Sequence, residues 1–139
     1  MSENIVENLV IDLMSLQGVI QKKIGRTLSA HGLGLSDYFV LNQLYLAPAQ
    51  KMRRSELAEL VSLSPSGITR LLNPLEKIGL VEKEANARDA RVSLVTLSAS
   101  GKQVYEEAKT TFSEASNALF TPLNAAQLDK LSGLIKALL

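Results

Sequence analysis

The sequence predicts a mainly α-helical chain that carries one small β-hairpin. Apolar residues recur at spacings of three and four over most of its 139 residues. Only two runs read as strands, they are neighbours in the chain, and the segments around them end in recognisable helix caps and stops.

Taken in order, Ile5, Leu9, Leu13, Leu16, Ile20, Ile24 and Leu28 form one apolar stripe, the pattern of a long first helix from Ile5 to about Leu28. His31-Gly32-Leu33-Gly34 interrupts it, which makes His31 a loop residue. Ser36 is the expected N-cap of a second helix running to about Leu46, ended by Ala47-Pro48-Ala49. On that helix Tyr38, Phe39 and Tyr45 are core by their spacing. A short third helix fits Arg54 to Val61, with Leu57, Leu60 and Val61 inward. Ser64 before Pro65 is a stronger start signal: a side-chain oxygen at the N-cap and a proline at the first helical position, where its missing N–H costs nothing. That helix is expected to reach Ile78, with Gly79 as its stop.

Leu80–Glu84 and Arg91–Leu97 are strand-like and joined by the polar segment Ala85–Ala90, so they read as a hairpin, the one β element predicted. Ser98 then caps a long helix from Ala99 to about Leu119. Pro122-Leu123-Asn124 separates it from a last amphipathic helix ending at Leu139.

Composition narrows the function. At 139 residues and 46% hydrophobic content, residues 1–139 form a single unit. The absence of cysteine excludes disulfides, thiolate zinc sites and cysteine-based redox sensing, and a single histidine builds no histidine-rich metal site. No metal, cofactor or catalytic residue is assigned. One histidine, no phosphate-binding glycine loop and no recognisable carboxylate pair make an enzyme the least supported class. Met1–Asn4 lacks the basic start of a secretory signal and no apolar run approaches membrane-spanning length, so a cytoplasmic, non-membrane protein is expected. The formal net charge is +1; residues 51–91 carry eight basic against six acidic residues, the remainder seven against eight.

Two short helices joined by Ser62-Leu63-Ser64, the second passing through Gly79 into a hairpin, match a helix-turn-helix followed by a wing. On the second, Ile68, Leu71, Leu72 and Leu75 make the buried stripe. Ser66, Thr69, Arg70 and Asn73 then share the opposite face. A helix in the DNA major groove needs such side chains: arginine can donate twice to guanine, asparagine can pair with adenine, and threonine offers a hydroxyl and a methyl group. Lys51, Arg53 and Arg54 precede the third helix, where phosphates could be held without reading sequence.

The segments Ser55–Leu60, Gly67–Leu72 and Leu75–Val81, followed by Asp89-Ala90-Arg91, Leu97-Ser98 and Gly101, resemble the multiple-antibiotic-resistance regulator (MarR) family. The resemblance implies a winged helix-turn-helix over residues 35–98 and dimerisation helices in residues 1–34 and 99–139. It also implies a homodimeric, cytoplasmic repressor of transcription that binds a pseudo-palindromic double-stranded operator and is released by a small aromatic or anionic effector. Carried onto this chain, the DNA-binding residues are Arg53, Arg54, Ser64, Ser66, Thr69, Arg70, Asn73, Arg88, Asp89 and Arg91. Arg91 would reach the minor groove, Asp89 would orient it, and Arg88 would touch phosphate. Tyr38 and Asn42 would line the effector pocket. Ala90 stands where the family commonly has arginine, Ser98 where it has threonine, and Pro74 is expected to kink the recognition helix near Arg70. The weak charge and Ala90 favour the alternative, a winged-helix protein-interaction module that no longer binds DNA; the Thr69, Arg70, Asn73 and Arg91 set argues against it.

Overall fold

The computed structural model describes residues 2–89 and 91–139. The elements run α1 (Ser2–Lys23), α2 (Gly25–Leu28), a 3₁₀ turn over Ser29–His31, α3 (Leu35–Leu46), a second 3₁₀ turn over Pro48–Gln50, β1 (Lys51–Arg53), α4 (Arg54–Leu60), α5 (Pro65–Lys77), β2 (Val81–Ala85), β3 (Ser93–Leu97), α6 (Ala99–Leu119) and α7 (Ala125–Leu138). No helix among the described residues is long and apolar enough to cross a membrane. Ala90, the wing position expected to lack an arginine, lies outside the described residues.

The predicted helix from Ile5 to Leu28 is two. It breaks at Ile24, where the Thr27 hydroxyl donates to the Ile24 carbonyl at 2.6 Å and Gly25, a poor helix former, follows. Ile24 and Leu28 are both buried in the core. Ser36 is not the cap of α3. Gly34 holds that position, and Oδ2 of Asp37 reaches back to accept from its N–H at 2.8 Å, which leaves Ser36 inside the first turn.

A second correction concerns the sheet. The sequence predicts two strands and the fold has three, in the order β1-β3-β2, all antiparallel. Lys51, Met52 and Arg53 pair with Thr96, Val95 and Leu94 on one side of β3, while Val81–Ala85 pairs on the other. Three residues are too few to show a two-residue period, and only the presence of β3 makes them a strand. Inward faces also differ in detail. Leu60 is 52% exposed and Phe39 42% exposed, while Ala58, unnoticed in the sequence, is buried beside Leu57.

Helix stops follow backbone logic. At the end of α5 the N–H of Leu80 donates to Leu75 and that of Gly79 to Glu76, with Gly79 at φ 81°, the left-handed conformation glycine adopts without strain. The α4–α5 turn repeats this pattern, Leu63 N–H to Ala58 and Ser62 N–H to Glu59, but with Ser62 in the left-handed position at φ 56°. Pro74 does not end α5, which continues to Lys77. Ser98 caps α6 as predicted, accepting from Gly101 N–H at 2.9 Å.

The core draws on Leu28 through Ala108, with Leu41, Leu44, Leu57 and Leu72 fully enclosed. The terminal helices lie outside it. Every residue from Asn4 to Ser15 is exposed, and on α7 only Leu131 is even half-buried.

Candidate nucleic-acid interface

The α4–α5 unit sets the geometry. Ser64 accepts from Gly67 N–H at 3.0 Å and so caps α5; its hydroxyl also lies 3.1 Å from that of Ser66. Replacing Ser64 by alanine removes this partner, and we expect a loss of about 1 kcal/mol in denaturant unfolding with an unchanged slope. Along α5, Ser66, Arg70 and Asn73 are exposed, opposite the buried Ile68, Leu72 and Leu75. Thr69 is only half-exposed and its hydroxyl is engaged twice: it donates to the Pro65 carbonyl at 2.9 Å and accepts from the Arg54 guanidinium. Arg54 thus ties the start of α4 to the exposed edge of α5.

Three more cations are paired with neighbouring side chains. Lys83 on β2 lies 3.2 Å from Oδ1 of Asn73 and 3.4 Å from Oε2 of Glu76, bridging the hairpin to α5. Lys51 faces Glu84 at 3.6 Å, and Arg53 faces Glu56 at 3.9 Å. All are exposed enough for water and salt to screen them strongly. Arg70 and Arg88 have no side-chain partner among the described residues.

The wing tip is built by local side-chain-to-backbone bonds. Oδ1 of Asn86 accepts from Arg88 N–H at 2.8 Å, and Oδ1 of Asp89 accepts from Arg91 N–H at 3.0 Å; both are the two-residue turns that Asn and Asp favour. The same Asp89 carboxylate takes the Arg91 guanidinium two-pronged, Nε to Oδ1 and Nη2 to Oδ2, each at 3.1 Å. Hydrogen bonds from the Arg91 side chain and backbone hold Asp89 below the ordinary carboxylate range, and the charge of nearby Arg53 adds to this. The Arg91 side chain is 91% exposed, so it is oriented while still facing solvent.

Tyr38 and Asn42 meet at a cavity of about 540 Å³ between α1, α3, the α4–α5 turn and α6, with Gln17, Gln21, Ser62 and Phe112 among its lining. Tyr38 stacks between Tyr105 and Phe112, ring centres 5.1 and 4.4 Å away. Burial, reinforced by the Tyr105 hydroxyl, raises its phenol well above the usual tyrosine range and keeps it neutral. Asn42 accepts from the Tyr105 hydroxyl at 2.6 Å. His31, expected in a loop, lies in a 3₁₀ turn with Nε2 2.7 Å from the Thr111 hydroxyl, pinning that turn to α6.

Sequence reading missed Lys83 and Glu76 at the α5 edge, and Gln17, Gln21 and Phe112 at the cavity. Lys83 alone left a signal: with Val81 it shares the strand phase that faces α5.

Comparison with known proteins agrees with this architecture. The family model described as "MarR family" matches residues 33–93. The HTH-type transcriptional regulator PrsX of Escherichia coli is 30% identical over 82 residues, 59% of this chain and 49% of its own, so the chain spans about half the length of that relative. The HTH-type transcriptional repressor Rv2887 of Mycobacterium tuberculosis is 25% identical over 126 residues, 91% of this chain and 89% of its own. A mutant of E. coli MarR, crystallised with operator DNA, superposes with a TM-score of 0.87 at 24% identity, covering 98% of this chain and 96% of that one. A family model over its centre, regulators along most of its length and a fold shared nearly end to end point the same way: residues 33–93 match the MarR family, and the chain has the fold of the MarR structure.

Proposed function

We propose that the chain is a sequence-specific, DNA-binding transcriptional regulator that works in the cytoplasm as a homodimeric repressor. One observation carries the reading. Ser66, Arg70 and Asn73 project from α5, the second helix of the helix-turn-helix, while Arg91 stands exposed at the tip of the hairpin that α5 leads into. A short helix edge of hydrogen-bonding groups suits the major groove, and a pre-oriented arginine on a narrow loop suits the minor groove beside it. Arg53, Arg88 and the remaining donors of Arg54 would hold phosphates. The operator DNA in the MarR structure and the repressor name of the mycobacterial relative support the same reading.

Dimerisation is supported by the terminal helices. Ile5, Leu9 and Leu13 repeat every four residues on α1 and are 67, 52 and 41% exposed, and Leu134 and Leu138 on α7 are 58 and 75% exposed. A second apolar hollow of about 390 Å³ runs along α7 from Phe120 to Leu139. Apolar stripes of this kind on a water-soluble chain are interface surfaces. A two-fold pair would set two α5 helices into successive major grooves, about 10 base pairs apart. The cavity at Tyr38 and Asn42 is the proposed effector site. Its lining holds three aromatic rings and several amides and hydroxyls but no charged side chain, which favours an aromatic effector over an anionic one.

The test is a fluorescence-anisotropy titration against a pool of random duplexes and against DNA flanking the chain's own gene, at low and moderate salt, with sedimentation run alongside. We expect a dimer that retains specific duplexes and loses affinity steeply as salt rises. A strict monomer, or a dimer that binds no duplex at low ionic strength, overturns the reading and returns the chain to the protein-interaction class.

A further inference from the structure

Lys83 leaves β2 on the face that meets α5: its register partner Val95 is fully buried, and directly opposite residues of an antiparallel pair share a face. From there its ammonium reaches both Oδ1 of Asn73, at 3.2 Å, and Oε2 of Glu76, at 3.4 Å. An ammonium only donates, so the Asn73 atom that meets it must be the carbonyl oxygen. Asn73 and Glu76 are three residues apart and hence neighbours on the helix surface, which lets one cation from the hairpin hold both. The carbonyl end of Asn73 is therefore turned to the wing. Its amide nitrogen, with two N–H donors, has no partner among the described residues and is the end left to face a ligand.

The same one-sidedness holds one turn earlier. The Thr69 hydroxyl is committed to Pro65 and Arg54, so this residue offers its methyl group. Arg70 between them is a donor only. From Thr69 to Asn73 the edge of α5 thus presents donors and a methyl group, with its acceptors turned inward.

We propose that Lys83, seconded by Glu76, is a positioning residue that fixes the polarity of Asn73, so that α5 selects a base edge rich in acceptors at the pair Asn73 meets, guanine above adenine. Adenine offers a donor beside its acceptor and is best read by an asparagine free to use both ends; guanine offers two acceptors in the major groove. This rests on α5 being the groove helix.

The test selects duplexes with a randomised core of about 20 base pairs, enough for two half-sites a turn apart, using the full chain and its Lys83→Met, Lys83→Arg, Glu76→Gln and Asn73→Ala variants. The base pair read by Asn73 is the one whose preference disappears in Asn73→Ala, and competition between guanine and adenine there gives the readout. The expected result is a preference for guanine of about tenfold in the parent, falling to about twofold or less in Lys83→Met. Lys83→Arg, which still donates, keeps most of the preference, and Glu76→Gln loses part of it. If Lys83→Met weakens all sequences alike and lowers the salt slope by about 1 per site, the lysine is a phosphate contact and the proposal is overturned. An unchanged preference in Lys83→Met, or loss of the preference in Lys83→Arg together with normal folding by circular dichroism, overturns it equally. Failure of the parent to bind any duplex is a distinct outcome: it removes the groove reading itself, and this proposal with it.

Discussion

Gly101→Ala lowers the stability of the fold by about 3 kcal/mol. A Cβ at position 101 would stand 2.0 Å from the carbonyl oxygen of Leu80, 2.9 Å from its carbon and 2.8 Å from Cδ1 of Leu97. The first two are backbone atoms and cannot rotate away. That carbonyl also accepts from Ser98 N–H at 3.0 Å, while the Ser98 hydroxyl donates to the Gly79 carbonyl at 2.5 Å. The end of α5, the start of β2 and the first turn of α6 are thus locked at one junction, and a methyl group must pry it open. Urea unfolding is the measurement, with a midpoint loss at unchanged slope and a melting temperature lower by roughly 10 °C. A midpoint like that of the parent would mean that α6 is not seated on Leu80.

Arg91→Ala weakens operator binding by about 30- to 20,000-fold. A well-placed arginine contact is worth about 1–3 kcal/mol, and in a two-fold dimer the substitution enters twice. The wing spends little on binding because Asp89 already fixes both the backbone and the guanidinium of Arg91. The slope of affinity against salt should flatten as well, by about 2 for two lost phosphate-proximal charges. The pair has a definite pH window. Because Arg91 depresses the Asp89 carboxyl, the carboxylate persists through neutral pH and is lost only as pH falls below the ordinary carboxylate range. Wing orientation is therefore constant above that range. Anisotropy titrations of the two proteins at several salt concentrations decide it, and equal affinities would remove Arg91 from the interface.

How much of this was legible in the sequence depended on how local each cause is. Ser64 and Ser98 cap their helices through bonds three residues away, and Gly79 closes α5 through bonds of three and five residues, so short windows of sequence reveal them. β1 escaped because its three residues become a strand only against β3, more than forty positions on. The break at Ile24 escaped because the apolar stripe runs through it unchanged; the Thr27 hydroxyl and Gly25 decide the backbone there. The turn at Ser62-Leu63-Ser64 was legible, but its left-handed backbone at Ser62 was not, because that position, usually glycine, is filled by serine. At the site, the exposed row on α5 followed from period alone. What that row offers a base did not, since the partners that commit Thr69 and Asn73 come from β1–α4 and β2.

In the proposed dimer the exposed α1 and α7 helices set a dosage rule. The helical stretch Asn4–Ser15, exposed at every residue, is marginal in water on its own, so a second copy would supply its order. Folding of these ends then follows mass action, and the melting temperature climbs with protein concentration. In a dilute cell the chain would exist largely as unpaired halves, and occupancy of a promoter would rise with the square of its abundance until the pairs are saturated.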